Sequence, residues 1–535
     1  MRTRFLHICS LFILCAGLLH GQESNNDFLR ALNNINQSAI KAQLGFLASD
    51  WTEGREAGKK GEYLAADYIA SILQLYGVKP GGDIARGRGQ SGAMVNLGKT
   101  YFQNFTLIKT SPGEEHIMKV RTTEGKIVKT VSFTNNIDFR TKNPVQGVEI
   151  EAPVVFVGYG FKNDKLRYDD FDKLDLKGKF ILRISGAPGF ARTQLSPSEL
   201  SNTSGEAEST ARKMGAAGII EFDPGLAVVG SQPENEFLNM SPSENNPAYG
   251  RQRADYSLPD KISPDNFARI FVSVKTANEI LKGTGFVLED YIKNAESNNI
   301  NPAPVLKDKT IYFKTTVKKE TISVRNVIGV IEGKNPDQVI VLGAHYDHLG
   351  TASGYTWNGA DDNASGTVGV MTLAKAIMET GIKPDKTLVF ALWTAEEKGL
   401  LGSRYYIQNL TYPIKNLRLN YNFDMISRYM SDNESRKVAL VYSESCPVLR
   451  TITEENIRKY GIDLDIDFQP SKVPPGGSDD RSFVNAGIPI MRLKLGYREQ
   501  YHTPVDEIST VDWDMMEKII KISFANTWEL ANNDW

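Results

Sequence analysis

Two histidines and four acids stand out because each follows an apolar run. Val339 to Ala344 delivers His345-Tyr346-Asp347, Thr387 to Trp393 delivers Glu396-Glu397, and Leu419 to Phe423 delivers Asp424. Ile488 to Leu493 leads through Gly496 to Tyr501-His502-Thr503-Pro504. The loop Gly359 to Gly366, with Asp361, Asp362 and Asn363, runs straight into an apolar stripe of helical spacing. Carboxylates gathered in one low-dielectric cleft either take up protons or bind cations. Two divalent metals would resolve the repulsion among Asp347, Asp362, Glu396, Glu397 and Asp424. Mixed imidazole and carboxylate donors without a thiolate suit zinc best, with cobalt or manganese as substitutes.

Each motif alone has a plainer meaning. Asp361-Asp362-Asn363 ahead of a helix ordinarily caps it, Glu396-Glu397 is ordinarily a solvated helix start, and a lone histidine is ordinarily structural. Their coincidence is the signal. Past residue 21 the chain holds four histidines, His116, His345, His348 and His502, and three of them fall in these motifs. His348 itself stays open between a supporting role at such a site and a loop histidine bonded to backbone.

Ligand sites in open α/β sheets lie off the carboxyl ends of the strands, so the runs must be strands of one sheet. After Ile311 the chain alternates strands with helices, the pattern of a mixed, mostly parallel sheet sandwiched by helices. Asn326 to Ile331 supplies a further strand. Val370, Leu373, Ala374, Ile377 and Met378 form one helical stripe closed by Gly381 and Pro384. Leu64, Tyr68, Ile72 and Leu75 predict an earlier helix, stopped by Gly77. Gly81 to Leu97, Gly-rich with Arg86 and Arg88, reads as a long surface loop. Between about Glu149 and Leu306 short apolar strands appear, at Ala152 to Gly158 and Lys179 to Ile184, with a helix from Glu208 to Met214 running into Ile219-Ile220. Ser196 to Ser204 and Asn235 to Asn246 read as surface loop there. The expected organisation is a leader at 1–21, a first catalytic segment at 22–145, an inserted domain at 146–308 and the catalytic core at 309–535.

The 535 residues exceed what one ordinary core organises. Lys and Arg number 62 against 64 Asp and Glu, so no net field attracts a nucleic acid. Arg2 and Arg4 before the apolar run Phe5 to Leu19 read as a secretory signal cleaved near Gly21. That run is shorter than the roughly 20 residues of a spanning helix, and no later stretch is apolar enough, so no membrane span is expected in the mature chain. Cys446 is then the one mature cysteine, which excludes an internal disulfide.

His345-Tyr-Asp347, Gly359-Ala-Asp-Asp-Asn-Ala-Ser-Gly366, Ala395-Glu-Glu397, Asn422-Phe-Asp-Met425 and Tyr501-His-Thr-Pro504 resemble, in order, the metal-site motifs of the co-catalytic di-zinc aminopeptidases. Relatives of that family include glutamate carboxypeptidase and glutaminyl cyclase. Gly54-Arg55 with Gly58 and Gly61 is similar to its N-terminal signature. Phe156-Val-Gly-Tyr-Gly160, Leu176-Lys-Gly178-Lys179 and Gly215-Ala-Ala-Gly218 resemble the β-rich protease-associated domain inserted in its larger members.

The resemblance implies that Asp362 bridges two zinc ions. Glu397 and His502 complete one site, and His345 and Asp424 the other. Asp347 holds the imidazole of His345, Glu396 is the general base, and the Asp362–Asn363 peptide is cis. It implies an enzyme acting on peptide substrates, removing N-terminal residues with metal-activated water, and the leader implies export. One departure is Arg498-Glu499-Gln500, where the family often carries a further histidine, so side-chain preference stays open. The alternatives are a glutamate carboxypeptidase-like or dipeptidase activity, glutaminyl cyclase, and a non-catalytic binding protein. This last type loses ligands or the base, whereas here all are present.

Overall fold

The structure, a computed structural model, describes residues 26–88, 94–141, 146–224, 255–259, 266–297, 304–352, 354–429, 431, 433–474, 477–496 and 498–535. The expected leader and the loop Asn235 to Asn246 lie outside the described residues. The described chain forms two compact units, one within Met1–Leu107 and Ile322–Trp535, the other within Ile108–Ser241 and Gly250–Thr321. The second unit thus begins ahead of residue 146 and runs past 308.

The first unit is built on strands β1 (Lys309–Ile331, by its last residues), β2 (Asn335–His345), β3 (Lys386–Trp393), β4 (Leu417–Asn422), β5 (Lys437–Ser443), β6 (Asp465–Ser471) and β7 (Ile490–Lys494). Their order is β6-β5-β7-β4-β2-β3-β1. The central pairs β3/β2, β2/β4 and β4/β7 are parallel, and β1 and β5 join them antiparallel. The register aligns His345 with Trp393 and Gly343 with Asn422, so the three central strands end along one edge.

Both faces of this sheet are apolar because both are covered. On β2, Ile340, Leu342 and Ala344 pack with helices α1 (Gln37–Leu47), α2 (Lys60–Leu75), α3 (Gly366–Glu379) and α4 (Trp513–Asn532). The alternate residues Val339 and Val341 face Trp393, Tyr406, Phe483 and Ile488. The mixed, mostly parallel sheet between helices matches the fold read from the sequence. Among the described residues no helix is long and apolar enough to cross a membrane.

In the second unit, Val148–Phe156, Phe180–Ile184, Gly218–Phe222 and Ala268–Val272 run parallel, with residues 310–315 antiparallel on the first. Phe156, Phe180, Leu182, Ile220 and Ile270 form its core.

Two segments read as loop are regular. Ser196 to Ser204 opens a helix, Pro197–Lys213, because Ser196 and Glu199 make a reciprocal capping box and proline occupies the first turn. A polar composition hid it. Gly81 to Leu97 contains the paired strands Ile84–Arg88 and Met94–Lys99. Their residues are mostly exposed, so backbone pairing forms there without a buried face to write a period of two into the sequence.

Candidate metal centre

The carboxyl edge of β2, β3 and β4 carries the acids and imidazoles. His345 is the last residue of β2, and its carbonyl accepts from the Thr367 hydroxyl on α3 at 2.8 Å. Glu396 and Glu397 follow β3 after Ala395, and Asp424 follows β4 ahead of Met425. Ala395, Met425 and His502 take φ of 54°, 57° and 57°, a left-handed conformation that side-chain-bearing residues seldom hold without surrounding support. Asp362 sits in the turn Ala360–Ser365, with a cis peptide to Asn363.

Asp362 joins two clusters with its two oxygens. Its Oδ1 lies 3.3 Å from Nε2 of His345, which is 3.4 Å from Oδ1 of Asp424. Its Oδ2 lies 3.1 Å from Nε2 of His502, which is 3.3 Å from Oε2 of Glu397. Donors 2.0–2.2 Å from one tetrahedral ion lie about 3.3 Å from each other, so all four separations are those of ligands sharing an ion. Among the described residues, His345, Asp362 and Asp424 form one metal-capable group and His348, Asp362 and Glu397 another. The donor set fits two zinc ions: buried nitrogens and oxygens, one carboxylate common to both, and no thiolate.

The electrostatics show how strongly these groups want a cation. Burial alone would keep His345 neutral, but Glu396, Asp424 and Asp362 outweigh it and push its pKa well above the ordinary value. His502 is likewise driven up to about 10 against its burial by Asp362 and Glu397. Burial and repulsion from Asp362 would raise Glu397, yet hydrogen bonds from His348 and His502 hold it at about 2. Glu396 is pushed well above the carboxylate range, chiefly by burial, and Asp347 to about 8 for the same reason. Glu396 Oε2 stands 4.0 Å from His345 Nε2, beside the first cluster.

Asp347 differs in one respect from the sequence reading. Its main-chain carbonyl, 3.1 Å away, is the hydrogen-bond partner of His345 Nδ1, while its carboxylate Oδ1 is 3.8 Å from that nitrogen. That same Oδ1 accepts from the backbone N–H of Glu396 at 3.0 Å. Asp347 thus ties the loop holding the expected base to the loop holding His345.

Several residues support the site in ways the sequence reading did not assign. Asp506 accepts the backbone N–H groups of Asp361 and Asp362, at 2.9 and 3.0 Å, and is itself paired with Arg428 at 2.7 Å. Asp361 turns away from the clusters and accepts from the backbone and hydroxyl of Ser427. Arg55 is fully buried and donates to the carbonyls of Tyr346, Leu47, Asn358 and Gly359. Asp479 is fully buried, and burial pushes it up to about 7. Asp506, four positions after His502, lay within reach of the sequence; bonds to backbone carbonyls, as at Arg55, leave no partner residue to find.

The carboxyl edge of the sheet thus bears two donor clusters that share one carboxylate, that of Asp362. Residues 326–527 match the model of Peptidase family M28. The chain is 32% identical over 210 residues to leucine aminopeptidase 2 of Arthroderma otae, covering 38% of this chain and 40% of that one. It is 34% identical over 188 residues to leupeptin-inactivating enzyme 1 of Streptomyces exfoliatus, covering 34% and 39%. The chain spans about two fifths of the length of these curated relatives. It shares its fold with the aminopeptidase from Aneurinibacillus sp. strain AM-1, at a TM-score of 0.55 and 18% identity over 95% of this chain and 97% of that one.

Proposed function

We propose that the protein is an exported zinc aminopeptidase that removes residues from the free N-termini of peptides. The observation that carries this reading is the division of Asp362, one oxygen to His345 and Asp424, the other to His502 and Glu397. One zinc ion would be held by Asp362, His345 and Asp424, the other by Asp362, Glu397 and His502. When bound, such a pair supplies Lewis acidity and lowers the pKa of a water. Glu396 takes the proton of the attacking water on its carboxylate and returns it to the leaving amine. Asp347 positions Glu396 through the backbone bond, so the base stays over the first cluster. The similarity of residues in the matched core to a leucine aminopeptidase supports the end of the peptide chosen.

The second unit, with Phe156-Val-Gly-Tyr-Gly160 and Gly215-Ala-Ala-Gly218 at its turns, is read as a protease-associated domain. Arg2, Arg4 and the run Phe5 to Leu19 support export.

The test is hydrolysis of free and N-acetylated aminoacyl and dipeptide substrates with and without chelator. Cleavage of free-amine substrates alone, lost on chelation and restored by zinc, is expected. Cleavage from the carboxyl end would move the assignment to a carboxypeptidase. Zinc-loaded protein without any peptide hydrolysis would move it to a cyclase or a binding protein.

A further inference from the structure

We infer that His348 is a positioning residue that turns Glu397, so that only its Oε2 faces the site shared with Asp362 and His502. The inference rests on the two-zinc reading above and adds a residue that this reading leaves without a role.

Nδ1 of His348 lies 2.8 Å from Oε1 of Glu397. That separation is a hydrogen bond, and it is shorter than the about 3.3 Å between two ligands of one tetrahedral ion. The neighbouring nitrogen, Nε2 of His502, stands 3.3 Å from the other oxygen, Oε2. The two imidazoles therefore divide the carboxylate, one as a hydrogen-bond donor and one as a fellow ligand. An ionised carboxylate only accepts, so the proton in the short contact sits on Nδ1.

The ring is built into its place. His348 is fully buried, and its backbone N–H donates to the carbonyl of Arg55 at 3.2 Å. A Cβ at Gly359 would come within 2.5 and 2.6 Å of its Cδ2 and Cγ, so glycine at 359 leaves the ring the space it fills. Its Nε2 is buried and makes no hydrogen bond. Glu397 is the hydrogen-bond partner of the ring, and Asp362 Oδ2 lies farther from the same Nδ1, at 3.8 Å.

A carboxylate held at one oxygen offers the other in a fixed direction. Without that hold, Glu397 rotates, and the ion it shares with His502 loses an oriented ligand. Outer partners of metal ligands typically change metal affinity by 10–100-fold. The other ion would be held by His345, Asp424 and Oδ1 of Asp362, whereas His348 approaches only Oδ2 of Asp362, at 3.8 Å.

The experiment is zinc titration of the full chain, stripped of metal, against a chromophoric chelator, with cobalt absorbance as a second readout of the ligand geometry. The parent protein should bind two zinc ions. His348→Phe should weaken one of them about 10–100-fold and leave the other unchanged. His348→Asn, whose amide nitrogen falls where Nδ1 stands, should restore parental affinity, and His348→Gln, which reaches to the Nε2 position, should not. Melting of the metal-free forms reports folding. If His348→Phe does not fold, the contrast between the Asn and Gln variants carries the test. Unchanged binding of both ions in His348→Phe overturns the inference and leaves the two-zinc reading standing. Failure of Asn to rescue overturns it too, in favour of His348 as a ligand. A parent that binds fewer than two ions overturns the reading beneath it.

Discussion

Nε of Arg55 donates to the carbonyl oxygen of Tyr346 at 2.7 Å, across 291 positions of chain. Tyr346 sits between His345 and Asp347, so the bond fixes the segment that presents both. The other donors of the guanidinium reach Leu47, Asn358 and Gly359, the last two on the approach to Asp362. Among the described residues no carboxylate accepts from it, and burial lowers its pKa to about 10. The cation nonetheless faces Asp506, Asp362, Asp347 and Glu397 at longer range, a fixed positive charge behind an acidic site.

Arg55→Met should therefore strand four buried carbonyls at once. At about 1 kcal/mol or more for each unsatisfied group, it should lower unfolding free energy by about 3–5 kcal/mol. Denaturant titration of the metal-free protein checks this, and a change within 1 kcal/mol would refute the brace.

Asp506→Asn acts on the shared carboxylate. Its two oxygens hold the backbone of Asp361 and Asp362, and an amide nitrogen cannot accept from an N–H. Affinity for both zinc ions should fall, by about 10–100-fold, in contrast to the single ion affected at His348. Competition titration with a chelator separates the two patterns.

Glu396→Gln keeps the shape of the base and removes its proton affinity. Turnover should drop about 10²–10⁴-fold with two zinc ions still bound. Elemental analysis beside kinetics decides it, and loss of metal with activity would make Glu396 a ligand.

Chelation should destabilise the first unit more than the second, because every expected ligand lies in the first. Zinc at 100 times its dissociation constant adds about 2.7 kcal/mol per site. Hydrogen exchange with and without zinc should show the gain at His345 to Asp347 and Ala360 to Ser365, with little change at Phe180 to Ile184.

Asp170 gives the second unit a pH dependence of its own. Burial raises its carboxyl to about 6, although the Tyr168 hydroxyl and the Phe161 N–H bond to it. Between about pH 4 and 6 the folded unit holds a proton that the unfolded chain has released. Stability should thus fall as pH rises through that window, by about 2–3 kcal/mol, and level off above it. Denaturant unfolding of the parent and Asp170→Asn at pH 4.5 and 7 measures the difference, and equal slopes would refute it.

The sheet and the donors were legible because both write themselves in side chains. Parallel strands buried on two faces give continuous apolar runs, and donors at their ends give clustered acids and histidines. Arg55 was visible only as part of a signature, since its four acceptors are backbone. Asp479 stood in the Gly- and Pro-rich stretch around Pro474 to Ser478, where nothing in the spacing tells a buried acid from a solvated one. His348 could be placed near the motif, but its 2.8 Å contact depends on how two loops meet. The helix at Pro197–Lys213 was missed for a different reason: its capping box was present in the text, and its polar composition outweighed it.

The separation of Arg55 from Tyr346 also sets a clock. A ribosome adding roughly 5–20 residues per second takes on the order of 15–60 s to travel from one to the other. During that interval Ala65, Ala66, Ile69 and Leu73 of α2 have been made and the sheet they pack against has not. The second unit, encoded in between, is complete before β2 emerges. The chain therefore matures from the inside out, and its first-made helices need shelter until the last-made strands arrive.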